Sequence, residues 1–154
     1  MYKKVLLPTD GSPCSHQALR EGLELVRSCG AEATIVYVVE NPLLTLPMLP
    51  EGIPYEADLY EDMKKAGEET LAEARKLAAE LGVDAKTALL EGQPVPAIVD
   101  FAREFDLVVM GTHGRGGLEK LLLGSVTDGV LHRTDKAVLV IPVSYTHLTL
   151  PTKA

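Results

Sequence analysis

Apolar positions along this chain alternate between two periods. "KKVLLPTD" (Lys3–Asp10) is a short apolar run closed by Pro8 and Asp10, and it reads as a strand. Behind it Ala18, Leu19, Gly22, Leu23 and Val26 return at helical spacing, with Ser12 suited to cap that helix, Pro13 to open it and Gly30 to end it. "ATIVYVVE" (Ala33–Glu40) is rich in β-branched residues and reads as a buried strand. A second helix is predicted from about Ala57 to Leu81, with Met63, Ala66, Ala74, Leu77, Ala78 and Leu81 on its apolar side and Gly82 as its stop. "DAKTALLEG" (Asp84–Gly92) has one polar face, as a strand near a sheet edge would. A short helix over Pro94–Phe105, a strand at "LVVMG", a helix from about Ser125 to His132 and a strand over Ala137–Val143 complete the series.

This alternation of strand and helix predicts an α/β domain: a doubly wound, five-stranded parallel sheet with helices on both faces. Right-handed crossovers leave few topologies. In a sheet of order 3-2-1-4-5 the first and fourth strands are neighbours, and the crevice at their carboxyl ends is where such sheets bind ligands. Two stretches stand outside the alternation. Asn41–Pro54 holds four prolines and cannot be one regular element; it reads as a long surface excursion, of the kind that often forms a lid. Ser144–Ala154 has no helical period and follows the natural end of the last strand. The domain is therefore expected over residues 1–143, with 144–154 a non-native or disordered tail.

Composition narrows the partners. The formal net charge of -7 argues against nucleic acid, which needs a basic face. A small anion is still allowed, because backbone amides can hold one locally. No apolar run approaches about 18 residues, so no membrane span is expected. The N-terminus enters a strand without a signal peptide, and a cytoplasmic location is expected. Cys14 and Cys29 bracket one predicted helix, about 22 Å apart at ~1.5 Å rise per residue, too far for a disulfide.

"LVVMGTHGRGGLEKLLLGSVTDGVL" (Leu107–Leu131) carries the candidate chemistry. Gly111, Gly114, Gly116, Gly117 and Gly124 lie between a buried strand and a helix. Successive amides in such a loop form an anion-binding nest. The helix opening at Ser125 adds free N–H groups and its positive dipole end, and Ser125 and Thr127 add hydroxyls. Two common phosphate motifs fail. No lysine stands between Gly124 and Ser125, as a Walker loop requires, and the third glycine of a dinucleotide fingerprint would fall on Glu119. What stands is G-x2-G-x9-G-S, made by Gly111, Gly114, Gly124 and Ser125. On spacing alone it is a phosphate cradle or a flexible connector. Asp10, expected at the same crevice, can accept hydrogen bonds from ribose hydroxyls or can serve a local turn.

Taken together, "KKVLLPTDGS", "VMGTHGRGGLEKLLLGSVTDGVL" and "AVLVIPV" resemble the universal stress protein family, of the ATP-binding subgroup, from Met1 to about Val143. The resemblance implies an adenine nucleotide alpha hydrolase-like fold, and a homodimer joined through strand 137–143. It implies that Pro8, Thr9 and Asp10 lie by the adenosine, that Val38 offers backbone hydrogen bonds to adenine, and that Met110 packs near the nucleoside. It places Gly111, His113, Gly114 and Arg115 along the phosphates, and Gly124, Ser125, Val126 and Thr127 around them from the helix start. ATP, ADP or AMP would bring Mg2+ or Mn2+ on its phosphates, since no dedicated carboxylate cluster is visible. His113 is equally an exposed loop histidine, and Arg115 and Lys120 are equally solvated charges. Three function classes remain: a nucleotide-binding regulator, an ATPase working at most weakly, and an interaction module without nucleotide. The intact glycine motif disfavours the third, and the missing Walker lysine disfavours the second.

Overall fold

A computed structural model describes residues 2–40, 56–112 and 124–143. Five strands, β1 (Lys4–Pro8), β2 (Glu32–Val39), β3 (Lys86–Glu91), β4 (Leu107–Gly111) and β5 (Ala137–Ile141), form one parallel sheet in the order β3-β2-β1-β4-β5. The helices are α1 (Pro13–Cys29), α2 (Glu56–Glu80), α3 (Pro94–Phe101) and α4 (Ser125–Arg133). The doubly wound reading and its strand order therefore hold.

The two-residue period of the strands divides the core. Val5 and Leu7 of β1, Ala33 and Ile35 of β2, and Leu107 and Val109 of β4 face α1 and α2. Leu6, Val36, Val108 and Met110 face the other way, where Ile98, Phe105 and Val130 from the α3 and α4 side close over them. β1 is buried on both sides, which is why its sequence reads as an unbroken apolar run. α1 lies close on the sheet because Gly22 has no side chain: a Cβ there would stand 2.7 Å from Leu7 Cδ2 and 2.9 Å from Val109 Cγ1. Its ends are the expected ones. Ser12 Oγ accepts from the Ser15 amide at 3.1 Å, and Gly30 closes the helix at φ 68°.

Four expectations need correction. Ala66 is exposed; Gly67, Leu71, Ala74 and Ala78 make the buried stripe of α2, joined by Leu77. Alanine is small enough to sit on either side, so its pattern misleads. The helix after Pro94 stops at Phe101, and Ala102–Glu104 continue as a 3-10 turn that lets Phe105 pack beneath the sheet. β3 begins at Lys86 and ends at Glu91, a shorter strand at the sheet edge. β5 ends at Ile141, since Pro142 has no amide to give the ladder. Cys14 and Cys29 are free thiols. Among the described residues no helix is long and apolar enough to cross a membrane. The proline-rich segment 41–54 and the tail 144–154 lie outside the described residues.

Candidate nucleotide site

The carboxyl ends of β1 and β4 adjoin at the middle of the sheet. Their register pairs Val5 with Leu107 and Leu6 with Val108, which, continued along both strands, brings Pro8 level with Met110. Pro8 ends β1 because its ring supplies no donor to either neighbour. The chain then turns sharply into α1. The Thr9 amide donates to Val36 O of β2 at 2.9 Å. Asp10 Oδ1 accepts the Ser12 amide at 2.9 Å, the bond of an Asx turn, and Gly11 takes φ 81°. Thr9 is buried with its hydroxyl 2.9 Å from that of Ser15, while Asp10 is half-buried at the turn.

The other wall comes from β4 and α4. Met110 is buried and Gly111, the last residue of β4, is half-buried. The Gly111 carbonyl accepts the Thr127 hydroxyl at 2.8 Å, so that hydroxyl ties the strand to the first turn of α4. The Gly124 amide donates to Thr112 O at 2.5 Å, so the residues on either side of segment 113–123 meet. Thr112 is held in turn by β5: its amide donates to Ile141 O at 3.0 Å, and its hydroxyl accepts the Val143 amide at 3.0 Å. α4 opens on Gly124 without a side-chain cap, so the amides of its first turn have no capping side chain. Ser125 is exposed and Val126 half-buried.

The sheet order thus sets the end of β1 with Pro8, Thr9 and Asp10 beside the end of β4 with Met110 and Gly111, and hydrogen bonds tie Gly124 and Thr127 to the β4 end, with Ser125 and Val126 between them. Val38 lies one strand further out on β2, half-buried against the α3 side and paired with Leu90. His113, Gly114 and Arg115 fall outside the described residues. The motif is therefore described at its two ends, Gly111 and Gly124–Ser125. Among the described residues no group of three His, Cys, Asp or Glu side chains could hold a metal ion. The Cys14 thiol, on the buried side of the same turn, is pushed up first by burial and then by the Asp10 charge, so it stays protonated. Sequence reasoning missed Ser15 and Thr112. Ser15 left a signal, since it is a polar residue on the apolar stripe of α1 between Cys14 and Ala18. Thr112 left none, because the Val143 backbone that its hydroxyl binds lies 31 positions away.

Comparison with known proteins decides the family. The profile of the "Universal stress protein family" matches residues 1–142. The chain belongs to the universal stress protein family. Among its relatives, universal stress protein MJ0531 of Methanocaldococcus jannaschii is 41% identical over 144 residues, covering 92% of this chain and 82% of the relative. Universal stress protein YxiE of Bacillus subtilis is 34% identical over 148 residues, covering 92% and 99%. Among solved structures, hypothetical protein MJ0577 superposes with a TM-score of 0.80 at 27% identity, covering 94% of this chain and 99% of that one. A universal stress protein in complex with cAMP gives 0.65 at 27% identity, covering 93% and 98%. Family members with this fold therefore include one that binds an adenine nucleotide.

Proposed function

We propose that this protein is an adenine-nucleotide-binding regulator that takes ATP, or its ADP or AMP form, at the β1/β4 crevice and works as a cytoplasmic homodimer. The observation that carries the reading is the adjacency of β1 and β4 in the sheet, since their carboxyl ends lead into Asp10 and into Gly111, the first glycine of G-x2-G-x9-G-S. The residues fit such a ligand. Gly124 presents the first turn of α4 without a side chain in the way, and a glycine cap invites an anion where a serine or aspartate would have filled the place. Asp10 supplies an acceptor for ribose hydroxyls beside it. Val38 would offer its backbone to the adenine edge, and Met110 would line the nucleoside. Gly111, His113, Gly114 and Arg115 would follow the phosphates, and Ser125, Val126 and Thr127 would hold them from the helix start. The Thr127 hydroxyl already donates to Gly111, so that residue would serve through its amide.

Mg2+ or Mn2+, when bound, would neutralise phosphate charge and would be carried by the phosphates themselves. The sequence favours binding over turnover, because Ser125 follows Gly124 directly, with no Walker lysine. Slow hydrolysis is the second reading; the amide cradle that holds a γ-phosphate also spreads its charge. The test is to denature the purified protein and identify any released nucleotide by chromatography, then to titrate nucleotide-free protein with ATP, ADP and AMP. Micromolar binding of one of them supports the reading. Absence of binding by all three removes it and leaves the interaction module.

A further inference from the structure

Two hydroxyls lie buried beneath the turn that carries Asp10. Thr9 and Ser15 are each only 8% exposed. Burying a hydroxyl is unfavourable unless it is bonded, and both of these are bonded to the turn. Their oxygens stand 2.9 Å apart. Ser15 Oγ accepts the Asp10 amide at 3.2 Å, and Thr9 Oγ1 accepts the Gly11 amide at 3.3 Å. The Ser15 amide donates to Ser12 Oγ, while the Ser12 amide donates to the Asp10 carboxylate. Ser15 therefore grips the turn at two points: its side chain holds the main chain of Asp10, and its amide holds Ser12, the residue against which the Asp10 carboxylate rests.

An alanine would pack as Ala18 does three residues on. The Ser15 hydroxyl instead reaches out of α1 to the loop, and it makes the first turn of the helix the template for the direction of one carboxylate. Resting on the nucleotide reading above, we infer that Ser15 is a positioning residue for ribose recognition. Acting through Asp10, its hydroxyl sets the preference for nucleotides that carry ribose hydroxyls over those that lack them.

The test compares ATP with 2′,3′-dideoxy-ATP by calorimetry on the full chain. Wild type should bind ATP at least about tenfold more tightly, the scale of a hydrogen bond to a charged group. Ser15→Ala should lower that ratio several-fold by weakening ATP alone, and Ser15→Thr, which keeps the hydroxyl, should restore it. In an Asp10→Ala background Ser15→Ala should change the ratio no further. Should Ser15→Ala not fold, Ser15→Cys keeps the volume with a poor acceptor and is read in the same way. An unchanged ratio, or an equal loss for both nucleotides, overturns the positioning role while leaving nucleotide binding in place. A wild type that binds ATP without discrimination overturns ribose recognition by Asp10 and this inference with it. A wild type that binds neither nucleotide overturns the nucleotide reading itself.

Discussion

Asp10 belongs to two structures at once. Its carboxylate accepts the Ser12 amide and so shapes the turn, and the same turn follows the end of β1, the neighbour of β4 in the sheet. Asp10→Ala is expected to weaken ATP binding by roughly 1–3 kcal/mol, the usual cost of a lost hydrogen bond to a charged group. Calorimetry should give the same loss with and without Mg2+; a loss confined to Mg2+-containing buffer would assign Asp10 to the metal. Asp106, at the opposite end of the sheet, is a purely structural carboxylate. It accepts the Lys3 amide at 3.0 and 3.2 Å and the Lys4 amide at 3.0 Å. The Lys3 amide holds its carboxyl below the ordinary 3.8; burial pushes the other way, and the Lys4 amide adds to the lowering. A carboxyl lowered by folding stabilises the fold above its unfolded pKa, and that contribution disappears as pH falls through the folded value. Urea midpoints of wild type should therefore exceed those of Asp106→Asn by a constant margin down to about pH 5, and the margin should shrink below about pH 4. A margin that grows on acidification would contradict the assignment.

At the scale of elements, the strands and helices were legible wherever burial enforces a period. β1 and β4 are buried on both faces and announce themselves as apolar runs; α1 announces its cap, its opening proline and its closing glycine. Legibility failed where a residue has no strong preference or where a bond is remote. Ala66 could sit on either side of α2, and only the close approach of Gly67 to Tyr37 and Leu89 decides which side is down. The break after Phe101 follows from packing of Phe105, which no local signal carries. In the site, Asp10 and the glycines could be chosen by chemistry and topology. Ser15 and Thr112 act through hydrogen bonds that exist only once the turn and the sheet have formed. Gly22 gives the sharpest test at this scale. Gly22→Ala improves helix propensity, yet its Cβ would lie under 3.0 Å from both Leu7 and Val109. Overpacking of this kind costs about 1–3 kcal/mol, which outweighs the propensity gain of roughly 1 kcal/mol. Chemical denaturation should show a less stable variant; a more stable one would mean that α1 can lift off the sheet freely.

For the whole molecule, the two edges of the sheet differ. β3 ends the sheet on one side with Lys86, Thr87 and Glu91 exposed, a charged edge of the kind that resists pairing. β5 ends it on the other with an apolar sequence in which Leu139 is 38% exposed. Pairing β5 with the same strand of a second copy would satisfy both edges about one two-fold axis. Light scattering should then give a dimer at micromolar concentration, reduced to monomer by Leu139→Lys or Val140→Lys and unchanged by removal of residues 144–154. A monomeric wild type would refute the dimer, and a dimer indifferent to both lysines would place the interface elsewhere. The central claim is that the glycine motif holds the phosphates of an adenine nucleotide, and it is tested most directly by titrating ATP into wild type and into Gly114→Val. The valine would occupy the space that a phosphate needs. Wild type should bind ATP and the variant should lose it, with both giving the same circular dichroism spectrum; equal affinity in the two folded proteins would contradict the claim.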